Sequence, residues 1–269
     1  MNQQSSPETA HENDQPLVLE RREDGIGILT LNRPQKRNIF SSEMLHAMRD
    51  VLERFAADAA VRAIVIAANG AVFSAGHNMR EFVDADPASA KQVFDLSSEL
   101  MLMLQELPKP VIAQVEGLAS AAGCQLVASC DLVVAATTAR FQTPGVMIGL
   151  FCSTPMIPLS RAIPPKKAME MLLTGEPIGA EEALQAGLVN RVVSPENLEA
   201  ETLALARKII QYSGATIALG KRAFYKQLPL DMAAAYEVGK EAITRNAMDP
   251  DGQEGMRAFL EKRPPKWKS

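Results

Sequence analysis

The chain has 269 residues, 47% of them apolar, which is enough for a substantial core in one large domain or in one domain with an appended part. Its 28 basic and 32 acidic residues give a formal charge of −4, which argues against a general nucleic-acid-binding surface. No segment is apolar for long enough to predict a transmembrane helix, so we expect no membrane partner. The three histidines are scattered and the three cysteines lack metal-type spacing, so we expect no metal site and buried free thiols.

Residues 1–16 are polar and contain neither lysine nor arginine. They lack the charged start and apolar centre of a secretory signal, and also the arginines of a mitochondrial transit peptide. We therefore predict a disordered tail on a cytoplasmic protein. A processed mature form from another compartment is the alternative.

Strands and helices alternate from residue 17 to residue 195. Short apolar runs, and alternation of apolar with polar residues, predict strands at 17–20, 26–31, 61–67, 111–115, 132–136 and 188–193. Helical spacing of apolar residues and end signals predict helices at 41–58, 88–107, 124–129, 166–173 and 180–186. Ser41 can cap the first of these helices, and Gly175 stops the fourth.

The strand signals stop after Pro195, and only helical patterns follow. We predict helices at 198–212, 215–227, 232–246 and 252–262. This order indicates an α/β core at 17–195 and a helical region at 196–269. No G-x-G-x-x-G segment follows a strand, so the sequence does not predict a dinucleotide site.

Two of the predicted strands run into turns made of small residues. Residues 119–123 follow the strand at 111–115 and let backbone approach a ligand closely, and the helix after them begins with unpartnered amides. Residues 69–81 follow the strand at 61–67 and are also rich in Gly, Ala and Ser. Two such turns can offer two backbone N–H groups to one carbonyl oxygen. Close packing of helix on strand is the alternative explanation of the first run.

The segments FSAGHNMREF and GLASAAGCQLVASCDL resemble the two signature segments of the crotonase superfamily, the enoyl-CoA hydratase/isomerase family. The similarity extends from about Leu17 to the C-terminus. GHNMRE, LASAAGCQLVASCD, TPGVMIGLFCSTP and FYKQLP resemble one group within the family more closely. The resemblance implies a crotonase-like α/β spiral of ββα units, with a C-terminal helical region that builds a homotrimer or a dimer of trimers.

The resemblance also implies an acyl-CoA site. In the family, the thioester carbonyl accepts two backbone hydrogen bonds, and the matching N–H groups belong to His77 and Ala122. Coenzyme A enters as part of the substrate, so no separate cofactor is implied. The positions that would contact it are Lys36, Arg37, Ala75, Met79, Arg80, Phe259 and Lys262, the last two sometimes from a neighbouring subunit. Ordinary solvated surface is the alternative for each basic residue.

The chain departs from the family where hydration requires two glutamates. Gln125 occupies the first glutamate position and Gly145 the second. Glutamine does not exchange a proton near neutral pH and glycine has no side chain, whereas general acid–base groups contribute about 10² to 10⁴ each. Inert packing is the favoured role of the remaining polar candidates, which are Glu116, Asp131, Gln142, Cys152 and Ser153.

We therefore predict an acyl-CoA-binding protein of fatty-acid or acyl-CoA metabolism that is enoyl-CoA hydratase/isomerase-like but not an ordinary two-glutamate hydratase. If it is an enzyme, its backbone amides would stabilise a thioester enolate. The first alternative is a protein that binds or senses acyl-CoA without turnover. The second is an RNA-binding role, which one branch of the family has and which the acidic net charge argues against.

Overall fold

The computed structural model describes residues 15–269. The first fourteen residues of the predicted tail lie outside the described residues. In the last two residues of that tail, the carbonyl oxygens of Gln15 and Pro16 accept hydrogen bonds from Arg33, and that of Pro16 also accepts one from Asn32.

Within residues 15–269 the chain forms nine strands. They are β1 Val18–Glu23, β2 Ile26–Leu31, β3 Ala63–Ala68, β4 Val111–Val115, β5 Leu118–Ser120, β6 Leu132–Ala136, β7 Arg140–Gln142, β8 Ile178–Gly179 and β9 Arg191–Val193. Six of them form one sheet in the order β1-β2-β3-β4-β6-β9, and β5, β7 and β8 form a second sheet in the order β5-β7-β8. Only β1 is antiparallel in the larger sheet, because the Asp24–Gly25 turn joins it directly to β2.

The same described residues form ten α-helices. They are α1 Ser42–Ala57, α2 Pro87–Glu106, α3 Ala122–Ser129, α4 Met156–Ala162, α5 Pro165–Thr174, α6 Ala180–Ala186, α7 Leu198–Ile210, α8 Gly214–Gln227, α9 Met232–Met248 and α10 Pro250–Leu260. Ser41 caps α1 as predicted, because its Oγ accepts a hydrogen bond from the amide of Met44 at 3.2 Å. None of these helices is long and apolar enough to cross a bilayer.

The inner strands of the larger sheet, β2, β3, β4 and β6, are buried on both faces. Along β3, Ile64 and Ile66 join the main core under α1, α2 and α3, whereas Val65 points to the opposite face. That second face packs against α7 through residues such as Leu203 and Ala206. Parallel strands that are covered on both faces consist of continuous apolar runs. This pattern is why β3, β4 and β6 were predicted well from the sequence.

Helix α8 is anchored to the core by one buried cation. The Nζ of Lys221 on α8 lies 2.6 Å from Asp131 and donates to the carbonyl oxygens of Leu104 and Lys109 at 2.7 and 3.0 Å. The other carboxylate oxygen of Asp131 accepts the hydroxyl of Tyr225 at 2.8 Å. Burial lowers the pKa of Lys221, and the charge of Asp131 opposes this shift. Asp131 therefore has a structural role.

Four features differ from the sequence-based prediction. The second sheet and α4 were not predicted, because strands of two or three residues are too short to show alternation of apolar and polar residues, and α4 has only seven residues and contains Pro158. Helix α3 begins at Ala122, two residues earlier than expected. Strand β9 covers only Arg191–Val193, because Leu188 and Val189 instead hydrogen-bond back to Ala183 and close α6.

Candidate active site

Two turns at the carboxyl ends of β3 and β4 lie against each other. We call residues 74–78 the His77 turn and residues 119–123 the Ala122 turn. The amide of Ser74 donates to the carbonyl of Leu118 at 3.1 Å, and the amide of Ser120 donates to the carbonyl of Ser74 at 2.9 Å. Backbone hydrogen bonds thus fix the turns to each other directly.

The small residues in these turns are required by this contact. A Cβ added at Gly76, whose φ is +91°, would lie 2.9 Å from the Cβ of Ala121 and 3.2 Å from the amide nitrogen of Ala122. A Cβ at Gly123 would lie 2.7 Å from the carbonyl oxygen of Ser74. Close packing, the alternative explanation of the small residues, therefore holds, and it also brings the two candidate amides to one place.

Both candidate amides are unused by the protein. Neither His77 nor Ala122 donates its backbone N–H in any hydrogen bond among residues 15–269. Ala122 is the first residue of α3, so its N–H has no acceptor inside the helix and lies at the positive end of the helix dipole. Ala121 before it has φ +49° and ψ −114°, a conformation that L-residues rarely adopt. Strained backbone of this kind is common at ligand-binding and catalytic sites.

The loop after β2 supports the His77 turn from outside. The carbonyl of Arg37 accepts the amide of Ala75 at 2.9 Å, and the Phe40 amide donates to Gly76 at 2.7 Å. The side-chain amide of Asn38, which is fully buried, donates hydrogen bonds to the carbonyl oxygens of residues 69 and 72. Sequence reasoning missed Asn38, although an asparagine in a polar loop is a recognised signal for a left-handed residue, here with φ +48°.

The structure therefore brings several of the predicted CoA-contacting positions together and leaves others apart. Arg37 and Ala75 are joined by the hydrogen bond just described, and Met79 and Arg80 are exposed in the short 3₁₀ helix that follows His77. Lys36 is exposed beside Arg37. In contrast, Phe259 and Lys262 are not in this hydrogen-bonded group: both are exposed, Phe259 on α10, which packs against α8 and α9, and Lys262 just beyond it.

The two substituted glutamate positions differ in environment. Gln125 lies on α3, one turn after Ala122, with 3% of its surface exposed, and its Oε1 has no hydrogen-bond partner among the described residues. Gly145 is covered by the loop that follows it. A Cβ there would lie 2.2 Å from the carbonyl oxygen of Leu150 and 2.8 Å from the Sγ of Cys152. Gly145 thus leaves no room for a carboxylate in this conformation.

The side chain of His77 packs against two aromatic rings. Its ring meets Phe82 and Phe94 edge-on, with centroid distances of 5.7 and 5.5 Å. Burial lowers the pKa of His77, and neither ring nitrogen has a partner among residues 15–269. The imidazole is therefore neutral at neutral pH.

The remaining candidates offer no activated nucleophile. All three cysteines are free and buried, as predicted. Burial raises the pKa of Cys152 and raises that of Cys124 to about 12, so both thiols stay protonated near neutral pH. Glu116 is exposed, and Gln142 is occupied by a hydrogen bond to Ser120. The part of the chain that the structure describes contains no cluster of three His, Cys, Asp or Glu side chains that could hold a metal ion.

Comparison with known proteins identifies the family of the whole chain. The family model described as enoyl-CoA hydratase/isomerase matches residues 21–269. This chain belongs to the enoyl-CoA hydratase/isomerase family. The family's name gives enoyl-CoA, a thioester of coenzyme A, as the compound on which its members act.

Within the family, the chain is similar to the group called enoyl-CoA hydratase domain-containing protein 3. The mouse member, named as mitochondrial, is 48% identical over 257 residues, which cover 95% of this chain and 86% of that protein. The crystal structure of the human member has a TM-score of 0.91 and 46% identity, covering 94% of this chain and all of that one. An enoyl-CoA hydratase structure from Mycobacterium smegmatis has a TM-score of 0.92 and 46% identity, covering 95% and 100% of the two chains.

These comparisons confirm the predicted family and the crotonase fold. They also correct one prediction. Cytoplasmic localisation was expected because residues 1–16 lack arginine, but the mouse relative is named as mitochondrial. The absence of a transit-peptide pattern in one stretch of sequence was therefore a poor guide to localisation.

Proposed function

We propose that this chain binds an acyl-CoA thioester with the thioester carbonyl oxygen between the amides of His77 and Ala122. The observation that carries the proposal is the contact between the two turns, with two unused N–H groups. The neighbouring basic side chains Lys36, Arg37 and Arg80 would hold the phosphates of coenzyme A, and no further cofactor is needed. Two preorganised amides stabilise the negative charge that develops when a thioester becomes an enolate.

The side chains at the proposed site do not support ordinary two-glutamate hydration. Adding water to a double bond needs one group that deprotonates the water and one that protonates the α-carbon. Gln125 and Gly145 do neither, and the nearby thiols are held protonated by burial. We expect the purified protein to hydrate crotonyl-CoA with a kcat well below the usual range of roughly 1 to 10³ s⁻¹. A kcat inside that range would refute this part of the proposal.

Binding is tested separately from turnover by removing one amide. Ala122→Pro deletes the N–H at the first position of α3, where proline fits a helix. Ala122→Ser is the matched control, because it changes the side chain and keeps the N–H. We expect calorimetry to show that butyryl-CoA binds the control and the wild type but binds Ala122→Pro far more weakly. A folded Ala122→Pro with wild-type affinity would contradict the role of this amide.

A protein that binds or senses acyl-CoA without turnover is the second candidate. The missing carboxylates at Gln125 and Gly145 favour it. A panel of CoA thioesters incubated with the protein and followed by mass spectrometry separates the two, since a binding protein returns every thioester unchanged. Any new acyl product that requires the Ala122 amide would support catalysis.

We also propose that the chain forms a homotrimer or a dimer of trimers through its helical region at 196–269 and adjacent surfaces. Large apolar side chains are exposed on α9, with Met232 at 75% and Ile243 at 65%. Met147 and Ile148, in the loop after Gly145, are exposed at 70% and 65%. Exposed apolar surface of this kind favours association. Light scattering that returned only monomer at micromolar concentration would defeat the proposal.

A further inference from the structure

The last turn of α10 and the segment after it form a basic region in an acidic chain. Residues 257–269 contain five basic residues and one acidic residue, whereas the whole chain has 28 basic and 32 acidic residues. A local excess of positive charge attracts anions, and it does so most strongly where the cations are not already paired with carboxylates. The contacts of these side chains therefore decide whether they are available to a ligand.

The segment after α10 turns back along that helix and is held there by two carboxylates. The Oδ1 of Asp251 accepts the amide of Lys268 at 2.7 Å, and the Oε1 of Glu254 accepts the amide of Lys266 at 2.9 Å. Glu254 also accepts two hydrogen bonds from the guanidinium of Arg263, at 2.6 and 3.0 Å. The backbone that carries the two lysines is therefore fixed against α10.

Trp267, between the two lysines, anchors the same segment. Its Nε1 donates to the carbonyl of Gln211 at 2.9 Å, and a Cβ added at Gly255 would lie 3.3 Å from its ring. The indole thus packs on α10 and on the end of α7. Its neighbours Lys266 and Lys268 both line one pocket on the surface of α10.

This pocket has a volume of about 460 Å³ and lies between α10 and the returning segment. Four of its lining residues are basic and one is acidic: Arg257, Arg263, Lys266, Lys268 and Glu254. The guanidinium of Arg263 pairs with Glu254 and lowers the pKa of that carboxyl to about 2. The other three cationic side chains have no hydrogen bond or ion pair among residues 15–269.

Three cations therefore surround one pocket without a carboxylate to balance them. Exposed cations elsewhere in the chain are often paired: Arg54 lies 2.7 Å from Glu20, and Lys91 lies 2.5 Å from Asp95. Like charges around one space repel each other, and an anion that bridges them removes this repulsion. Pro250 is the one apolar residue among the described residues that line the pocket, so a charged group suits it better than an acyl chain.

We propose that this pocket binds a compact polyphosphate group, as a second anion site separate from the proposed acyl-CoA site. Linked phosphates carry several negative charges over a short distance, and their oxygens accept hydrogen bonds from both guanidinium and ammonium groups. None of the positions expected to contact CoA lines the pocket. Phe259 is two residues after Arg257 on α10, which places it about 200° around the helix axis, on the opposite face.

Calorimetry on the full chain tests the proposal with inorganic tripolyphosphate as the probe. We expect one tripolyphosphate to bind per chain, and to bind more weakly as the salt concentration rises. Arg257→Gln combined with Lys266→Gln removes two of the three unpaired charges and should weaken this binding about tenfold or more. Lys208→Gln removes an exposed lysine of α7 and is the matched control, which should keep the wild-type affinity.

A competition experiment separates this site from the acyl-CoA site. Saturating butyryl-CoA should leave the affinity for tripolyphosphate unchanged, and displacement of tripolyphosphate by butyryl-CoA overturns the proposal. A chain that binds tripolyphosphate but no acyl-CoA refutes the proposed function and supports the second site.

The remaining outcomes are equally decisive. No binding of tripolyphosphate, or wild-type affinity in the double variant, overturns the proposal. Co-sedimentation with phosphatidylglycerol vesicles in the absence of tripolyphosphate binding also overturns it, because the ligand would then be a lipid surface. If circular dichroism shows that the double variant does not fold, Lys268→Gln replaces it, and wild-type affinity in that variant is the contradicting result.

Discussion

Gly145→Ala is expected to destabilise the fold by about 2 kcal/mol. The added Cβ would lie 2.2 Å from the carbonyl oxygen of Leu150 and 2.8 Å from the Sγ of Cys152. This carbonyl cannot move freely, because the amide of Leu150 is bonded to the carbonyl of Gly145 at 2.9 Å. Overpacking of this kind costs about 1 to 3 kcal/mol, and the backbone contact places it near the upper end. Alanine also lowers the conformational entropy of the unfolded chain, and this effect offsets up to about 1 kcal/mol of the loss in stability.

Urea denaturation at fixed protein concentration measures this change. The matched control is Gly220→Ala on α8, where an added Cβ meets nothing within 4 Å. Because alanine is the better residue inside a helix, the control should gain about 0.5 to 1 kcal/mol. The two alanine substitutions are thus expected to shift the unfolding midpoint in opposite directions.

A Gly145→Ala variant as stable as the wild type would refute the reasoning. It would mean that the loop carrying Leu150 and Cys152 relaxes easily and that a larger side chain fits. The same result would make Gly145→Glu with Gln125→Glu a realistic way to restore hydration. If the predicted loss is observed, the double variant is expected to fail for steric reasons, whatever its acid–base chemistry.

Four further predictions follow from named contacts. Gly76→Ala should separate the two turns and weaken acyl-CoA binding in calorimetry, since its Cβ would lie 2.9 Å from that of Ala121; unchanged affinity would contradict the contact. Arg80→Glu should weaken binding by placing a carboxylate near the phosphates, and an unaltered Kd would remove Arg80 from the site. Lys221→Met should cost about 3 kcal/mol in urea unfolding because it removes the buried cation that pairs with the part-buried carboxylate of Asp131, whereas the exposed Arg222→Met should cost little. Burial lowers the pKa of His77 below its ordinary value of about 6.5, so the unfolded chain takes up a proton at a higher pH than the folded protein does. The stability of the fold should therefore fall as the pH drops below about 6.5. His77→Phe should reduce that fall, and a pH profile of stability identical to that of the wild type would contradict this role of His77.

The sequence predicted the larger sheet and most helices because their signals are local. Continuous apolar runs marked β3, β4 and β6, and Ser41 and Gly175 marked helix ends. The second sheet was missed because β5 and β7 have three residues each, and they pair only after the chain has brought distant segments together. No short-range pattern reports such a pairing.

The candidate site was predicted in part. His77 and Ala122 came from resemblance to a family, and the contact between their turns explains why small residues surround them. The covering of Gly145 by Leu150 was not predictable, because it depends on how a loop folds back over five residues. The unpaired state of Gln125 was equally hidden, since the sequence shows that a polar residue is present and not whether it has a partner.

The hydrogen bonds through Ser74 join segments that are more than forty residues apart in the chain. The pair of free amides therefore exists only when β3, β4 and the second sheet are all in place, and no unfolded or partly folded chain presents it. A ligand that uses both amides binds the native state alone, and mass action then adds its binding free energy to the stability of the whole core. At a concentration one hundred times its Kd, such a ligand adds about 2.7 kcal/mol. The rise in melting temperature across a library of thioesters would thus rank candidate substrates without any assay of turnover.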